Sequence, residues 1–530
     1  MSGNQREHLG TPIPDWPRRL LHVPSMTSFE RAGKSTYSTA TAPEYNILSY
    51  TWGRWKLSSG PSLSVQGLSW SVPAVNPSHF SVSAFQRVIS HIGAQDTSFL
   101  WVDIACIDQT NTAIKMSEIG KQAAIFNRAR NAYIWLSHLE EGQLRRYMQA
   151  LETSARDASA AGTSCVLRPG WVKSTIALFK ELLLDPWFSS LWTLQEAFLR
   201  RDAVLLSREG RVGVTLFDVL TWAARIYLEA LYYSEVYGGK HDDRVDRTDI
   251  QTLMDLIMNA GLYSLYCDNP IVLYSVARYR RTRHPLDRIY AIMQVYGLRL
   301  GQSAEPEKDF TLEDLEDQLG IELNRRASIR AQLYVFTTPQ EVGHGWRISP
   351  FTYVPEPMRS VIEKRSSCTF DLSPVTMQGR TWGYFRSRCA TFRALAEKWL
   401  AASSRPSRHT GAILPAQRIC LDATDLYTDQ DIPKNLRALN PIRDERQNLL
   451  TERLIAHFGG ERLRVLLLGV LMGHSAGKPM ETSVGLMAVP CEEKGTKYWR
   501  RLGIVLWEDA LGVPKKIPED LWQSLEGLLG

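Results

Sequence analysis

The run Leu191 to Leu199, LWTLQEAFL, sets one glutamine and one carboxylate, Glu196, inside an otherwise apolar segment. On a helical wheel Trp187, Leu191, Leu194 and Phe198 share a face, and Glu196 falls beside Trp192, toward Ser189 and Arg200. A carboxylate outside the apolar stripe can reach a cleft edge and stabilise positive charge or hold a hydroxyl. Two further stretches carry groups suited to a ligand. SYTWGRW contains Ser49, the flat rings of Tyr50 and Trp52, Gly53 for a tight turn, and Arg54. DIACIDQTN contains Asp103, Cys106, Asp108 and Gln109, of which the two acids and the amide are candidate hydrogen-bonding groups. Each has a plainer use. Trp52 and Trp192 suit a core, Asp103 and Asp108 suit helix caps, and Cys106 suits a small apolar filler. Glu196 could pair with Arg200, a spacing worth a few tenths of a kcal/mol, roughly.

These stretches converge only if the elements before them share a sheet. Four runs are rich in branched and aromatic residues without strict alternation: YNILSYTW from Tyr45, FLWVDIAC from Phe99, AYIWLS from Ala132 and AVLLS from Ala203. That pattern predicts strands buried on both faces. Between them Phe85, Val88, Ile89 and Ile92 recur at helical spacing, as do Met116, Ile119, Ala123 and Phe126, with Glu118, Lys121 and Arg128 elsewhere on the wheel. Alternating strands and helices imply parallel strands with helices on both faces. Ligands bind such sheets beyond the carboxyl ends of the strands, where the candidate loops fall. Asp185 and Pro186 predict the start of the helix that carries Glu196. TSARDASAAGTS, 153–164, reads as a flexible insertion before it.

A length of 530 residues predicts two or three domains, and 44% apolar with 22% charged residues is the composition of an ordinary globular protein. The net charge of +6 is small for this length and gives no reason to expect nucleic acid. The densest basic cluster, RYRRTRH at 278–284, reads as a solvated loop with local ion pairs. Seven cysteines without a CxxC pair argue for reduced thiols and against zinc. No window reaches the roughly 20 apolar residues of a bilayer span, and the N-terminal stretch has no apolar signal core. A cytoplasmic protein is expected. Boundaries are expected near 235–249, 302–309 and 401–411, with a mainly helical pattern over 217–330 and mixed short strands and helices after 331.

Two motifs fail on chemistry. GHSAG at 473–477 matches a nucleophile elbow, but no histidine follows His474, so a turn between two strands is the better reading. AGKST at 32–36 resembles the end of a phosphate loop, but Ser28 stands where glycine is required.

YNILSYTWG, FLWVDIACIDQTN with AYIWLS, and LWTLQEAFL together resemble the three blocks of the fungal heterokaryon-incompatibility (HET) domain, and HPLDRIYAIMQVYGL at 284–298 resembles a stretch that often follows it. Where the family usually has an arginine before the tryptophan this chain has Leu191. The HET domain is itself similar to the TIR domain. That resemblance implies a flavodoxin-like (TIR-like) α/β fold: a 1–40 tail, a HET domain over 41–210, a helical region over 211–330 and a C-terminal α+β region over 331–530. Several TIR domains cleave NAD at the nicotinamide–ribose bond with a glutamate in a helical block, onto which Trp192 and Glu196 carry over. The resemblance implies NAD as a substrate rather than a bound cofactor, and a nucleotide site built from Ser49, Tyr50, Trp52, Gly53, Arg54, Asp103, Asp108, Gln109 and Trp192 with Glu196 catalytic. It equally implies a non-enzymatic module that self-associates. In either case it implies non-self recognition and regulated cell death, a homo-oligomer formed through the HET domain, and a receptor-like partner.

Overall fold

The four apolar runs form strands. The computed structural model describes residues 16–160, 169–237, 246–359, 362–364, 367–403, 417–437, 446–475, 478–508 and 518–530. The chain divides into two units, Met1–Leu315 and Glu316–Gly530. In the first, the strands in chain order are β1 (Arg19–His22), β2 (Thr27–Ala32), β3 (Thr36–Tyr37), β4 (Ala40–Thr41), β5 (Asn46–Ser49), β6 (Lys56–Leu57), β7 (Ala74–Val75), β8 (Phe99–Trp101), β9 (Ala132–Trp135), β10 (Val204–Leu206) and β11 (Val212–Thr215). Nine of them make one sheet in the order β11-β10-β9-β5-β8-β1-β2-β3-β4, and β6 and β7 pair separately. The neighbours β10-β9, β9-β5 and β5-β8 are parallel. The flanks are antiparallel: β1 on β8, and β11 on β10. Every residue of β5 and β9 is buried, which is why these segments show no alternation. The segment before residue 41 supplies β1 to β4, and the glycine of AGKST lies in the turn between β2 and β3 at φ 58°.

The helices that position the site are α1 (Val82–Gly93), α2 (Asp103–Cys106), α3 (Thr112–Ile119), α4 (Gln122–Arg128), α5 (Glu141–Ala160), α6 (Pro169–Leu182) and α7 (Trp192–Leu199). In α1 the buried face is Ala84, Phe85, Val88, Ile89 and Ile92, capped by Ser81. The next helical pattern is broken at Gly120 into α3 and α4. Glu118, off the apolar stripe, is nonetheless buried: it accepts from the Arg18 amide at 2.9 Å and pairs with Lys121 at 3.0 Å. Residues 153–160 are the end of α5 rather than a flexible insertion, because Leu151, Ala155 and Ala158 continue its buried face. Residues 161–164 lie outside the described residues.

Asp185 caps as expected, accepting from the Trp187 amide at 2.9 Å, but what it caps is a 3-10 turn, Pro186–Ser189. Ser190 then bridges to Arg281, and α7 begins only at Trp192. Helices at 216–237, 247–259, 262–266 and 270–277 follow. No helix among the described residues is long and apolar enough to cross a membrane.

The second unit is β-rich. Its main sheet runs through strands 362–364, 464–475, 478–493, 496–508, 523–529, 380–391 and 371–377, and 417–421 pairs with 496–508. An additional pairing of 380–391 with 464–475 closes part of this path into a ring. These strands reach 16 residues, longer than the short ones expected. Helices 392–403 and 446–458 cover a core of Phe392, Trp399, Ile419, Val465 and Trp507. Ser475 of GHSAG pairs with Lys478 in a hairpin, which is the turn expected there; 476–477 lie outside the described residues.

Candidate functional site

The candidate residues gather where β5, β8 and β9 end. In a parallel sheet the carboxyl ends open where neighbouring connections leave to opposite sides. Ser49, the last residue of β5, donates its hydroxyl to Glu196 Oε2 at 2.5 Å and accepts from the Trp187 indole at 2.7 Å. This chain of bonds fixes the acid from below. Trp187 is fully buried, so its N–H has no water to turn to and Ser49 is its partner. Asp103, just past β8, accepts from the Trp52 indole at 2.6 Å and from the Ile104 amide at 2.7 Å. Tyr50 is buried near both acids; its hydroxyl makes no hydrogen bond of good geometry. Burial, then the charges of Asp103 and Glu196, push that phenol pKa upward.

Both carboxyls are held above their ordinary range. Burial raises Glu196 to about 8, opposed by the Ser49 hydrogen bond and reinforced by Asp103. Asp103 is likewise raised by burial, against the donors from Trp52 and Ile104 and the neighbouring Tyr50 hydroxyl. For Glu196 an ionised carboxylate in such surroundings costs several kcal/mol, and a hydrogen bond to a charged group returns roughly 1.5–3 kcal/mol, so its proton stays on. Glu196 is therefore mostly protonated at neutral pH in the free protein. It makes no ion pair with Arg200. That guanidinium is buried and taken by Asp202 at 2.8 Å and by the carbonyls of Phe126 and Ala129.

Further contacts hold α7 and the loops beside it. Trp192, half-buried, donates to Asp287 Oδ2 at 3.3 Å, and the same oxygen accepts from Thr282 at 2.5 Å. The α7 helix is also stitched on its buried side: Gln195 donates to Gln122 at 2.6 Å and accepts from the Gln294 amide at 3.0 Å. His79 lies under the Trp55 ring at 3.7 Å, with its Nε2 2.6 Å from the Thr51 carbonyl and its Nδ1 3.0 Å from His138 Nε2. A carbonyl can only accept, so His79 is protonated at Nε2 and His138 donates to it. Burial, with His138 and Arg54 nearby, lowers His79 to about 4.

The expected residues divide. Ser49, Tyr50, Trp52, Asp103 and Glu196 come together, with Trp192 on the flank. Arg54 donates to Ser189 Oγ at 3.1 Å and the Pro186 carbonyl at 3.2 Å. Gly53 does not use glycine's freedom: its φ is not left-handed and a Cβ there would meet open space. Asp108 folds its own loop, accepting from the Thr110 and Asn111 amides, and Asn111 caps α3. Gln109 reaches back only to the Asp103 carbonyl at 3.3 Å. Cys106 is buried with its thiol raised to about 12, as befits a filler. Among the described residues no three metal-ligating side chains gather.

The basic cluster corrects its expected role. Arg280 is buried and donates to the carbonyls of Trp187 (3.1 Å) and Ser190 (3.4 Å), so it packs the helical segment onto the site instead of meeting solvent. Leu191, at the position where the family usually has arginine, is fully buried. Trp187, Arg280, Thr282 and Asp287 carry no signal of a site role in the sequence; only the resemblance over 284–298 points toward Asp287.

Residues 45–196 match the family model described as Heterokaryon incompatibility protein (HET), which ties this segment to heterokaryon incompatibility. No curated protein matches the chain, and no solved structure does.

Proposed function

We propose that this chain acts in heterokaryon incompatibility and regulated cell death by hydrolysing NAD at the nicotinamide–ribose bond, with Glu196 as the catalytic carboxylate. The observation that carries the proposal is a pair of half-buried carboxyls, Glu196 and Asp103, met only by neutral donors where parallel strands end. Numbered in chain order, the parallel strands β5, β8, β9 and β10 run 2-1-3-4 across the sheet, the order of flavodoxin-like folds, which supports a TIR-like reading.

The chemistry follows from charge. The nicotinamide ring of NAD is cationic, so its arrival beside Glu196 favours the ionised form and drives the proton out. The C–N bond breaks with its electron pair going to nicotinamide, which leaves neutral and needs no general acid. Glu196, now anionic, stabilises the oxocarbenium ion that remains, and water adds to the ribose carbon and gives up a proton. Tyr50 and Trp52 line the ring side. Clustering through the HET segment, under a receptor-like partner in the cytoplasm, would raise local activity.

The test is release of free nicotinamide from NAD by the purified full-length protein at high concentration, compared with Glu196→Gln. Wild type should release it, with kcat/KM rising toward an apparent pKa near 8, and the variant should fall by roughly 10²-fold or more. Absence of release from wild type would favour the non-enzymatic, self-associating module.

A further inference from the structure

Several arginines of this unit have acids beside them. Arg130 pairs with Glu44, Arg200 with Asp202, Arg201 with Asp268 and Arg208 with Glu140. Arg54, Arg281 and Arg283 do not: no carboxylate of the described residues pairs with any of them. Yet the fold gathers these three around the turn before α7, the helix that carries Glu196. The Arg281 amide donates to the Ser189 carbonyl at 2.7 Å and its carbonyl accepts from Leu191 at 3.0 Å, which pins the 281–283 segment against the turn before α7. Arg283 donates to the Arg54 carbonyl at 3.0 Å. Arg54 spends only Nη2 on the protein, on Ser189 and Pro186, and lies over the Trp55 ring at 4.8 Å. Its Nη1 and Nε remain open, while Arg281 and Arg283 are exposed.

Like charges brought together without counterions repel, and the Arg54 pKa is lowered first by burial and then by Arg281. Glu196 and Asp103 do not relieve this, since each is held by its own neutral donor and Trp187 stands fully buried between the Ser49–Glu196 pair and the turn that Arg54 grips. A ligand anion would. Guanidinium forks match phosphate oxygens in pairs, and three of them suit two linked phosphates better than one carboxylate.

We infer that Arg54, Arg281 and Arg283 form a diphosphate subsite around the turn before α7, so that the ligand carries its phosphates there and its reactive end at Glu196. This rests on the site assignment above but not on cleavage. It also brings positive charge, from residues distant in sequence, to the turn beside Leu191, a side chain that offers none.

Titration calorimetry on the full chain tests it with inorganic pyrophosphate, ADP-ribose and adenosine as probes, at low salt and at about 0.15 M salt. Wild type should bind pyrophosphate and ADP-ribose, more weakly as salt rises. Arg281→Ala/Arg283→Ala should weaken both by roughly tenfold or more and leave adenosine unchanged. Arg145→Ala/Arg156→Ala, which removes the same charge from an exposed face of α5, should change none of the three. Failure of wild type to bind pyrophosphate, equal weakening by both double variants, or preference for a single-stranded oligonucleotide at the higher salt would overturn the subsite. Pyrophosphate binding without nicotinamide release would retain the subsite and reject cleavage. Cleavage with an unchanged KM in the Arg281/Arg283 variant would do the reverse.

Discussion

Two acid sites, a half-buried one in the first unit and a buried one in the second, are partnered in opposite ways. In the second unit Asp422 accepts from the Phe336 amide at 2.8 Å and from Arg501 at 3.0 Å, and Arg501 also donates to Gln332 at 2.8 Å and to the Tyr334 carbonyl while lying 4.1 Å over the Tyr334 ring. Burial still raises the Asp422 pKa, but the guanidinium pulls it back. That acid is a joint between strands. In the first unit Glu196 and Asp103 are met by a hydroxyl, an indole and an amide, with no ion pair to either among the described residues. Without a guanidinium Glu196 keeps a proton that it can lose near neutral pH, and that is a property chemistry uses.

The contrast can be broken most forcefully from the second unit. Arg501→Met leaves Asp422 buried and unpaired and should destabilise that unit by about 3–5 kcal/mol, with part recovered by adding Asp422→Asn. Denaturant melts measure it; a loss below about 1 kcal/mol would erase the distinction between the two sites.

Glu196→Gln should act in the other direction. The folded pKa of about 8 lies above the ordinary 4.5, so below pH 4.5 the acid is protonated in both states and the substitution changes little. Between 4.5 and 8 only the unfolded chain loses the proton, and stability falls as pH rises. The glutamine variant escapes that loss and should gain about 2–4 kcal/mol at pH 9 and almost nothing at pH 4. Melting curves at the two pH values decide it.

Ser49→Ala removes the one donor that lowers Glu196 and strands the Trp187 N–H. It should cost about 1–3 kcal/mol and move the pH–rate limb of nicotinamide release further alkaline. A purely structural serine would lower stability without moving that limb. Tyr50→Phe is the smallest effect: deleting a hydroxyl without a good partner should leave stability within about 1 kcal/mol of wild type, while any loss of NAD affinity would mark the hydroxyl as a ligand contact.

The parallel core was legible because burial on both faces leaves continuous apolar runs, as in NILS and AYIW. Helix α1 was legible from its period, Ser49, Tyr50, Trp52 and Asp103 from their place at strand ends, and Glu196 as the lone carboxylate of an apolar helical run. The antiparallel flank was not, since RLLH and TSFERA are short and their partners are set by contacts with each other and with β8 rather than by any period. Nor was the break before α7: Pro186 and Asp185 signal a start, but the turn ends where Arg281, some 90 residues on, takes over Ser190. Asp108 misled for a local reason, as an acid in a loop serves equally to fold that loop.

The indole of Trp192 and the amide of Gln195 find their acceptors and donors in residues 287 and 294, well beyond the stretch matched to the HET family. A fragment trimmed at residue 210 would thus lose one flank of the acid-bearing helix, and its silence in an assay would report an uncovered helix instead of a missing activity. The smallest excised piece that keeps both sides of that helix dressed extends through Leu298.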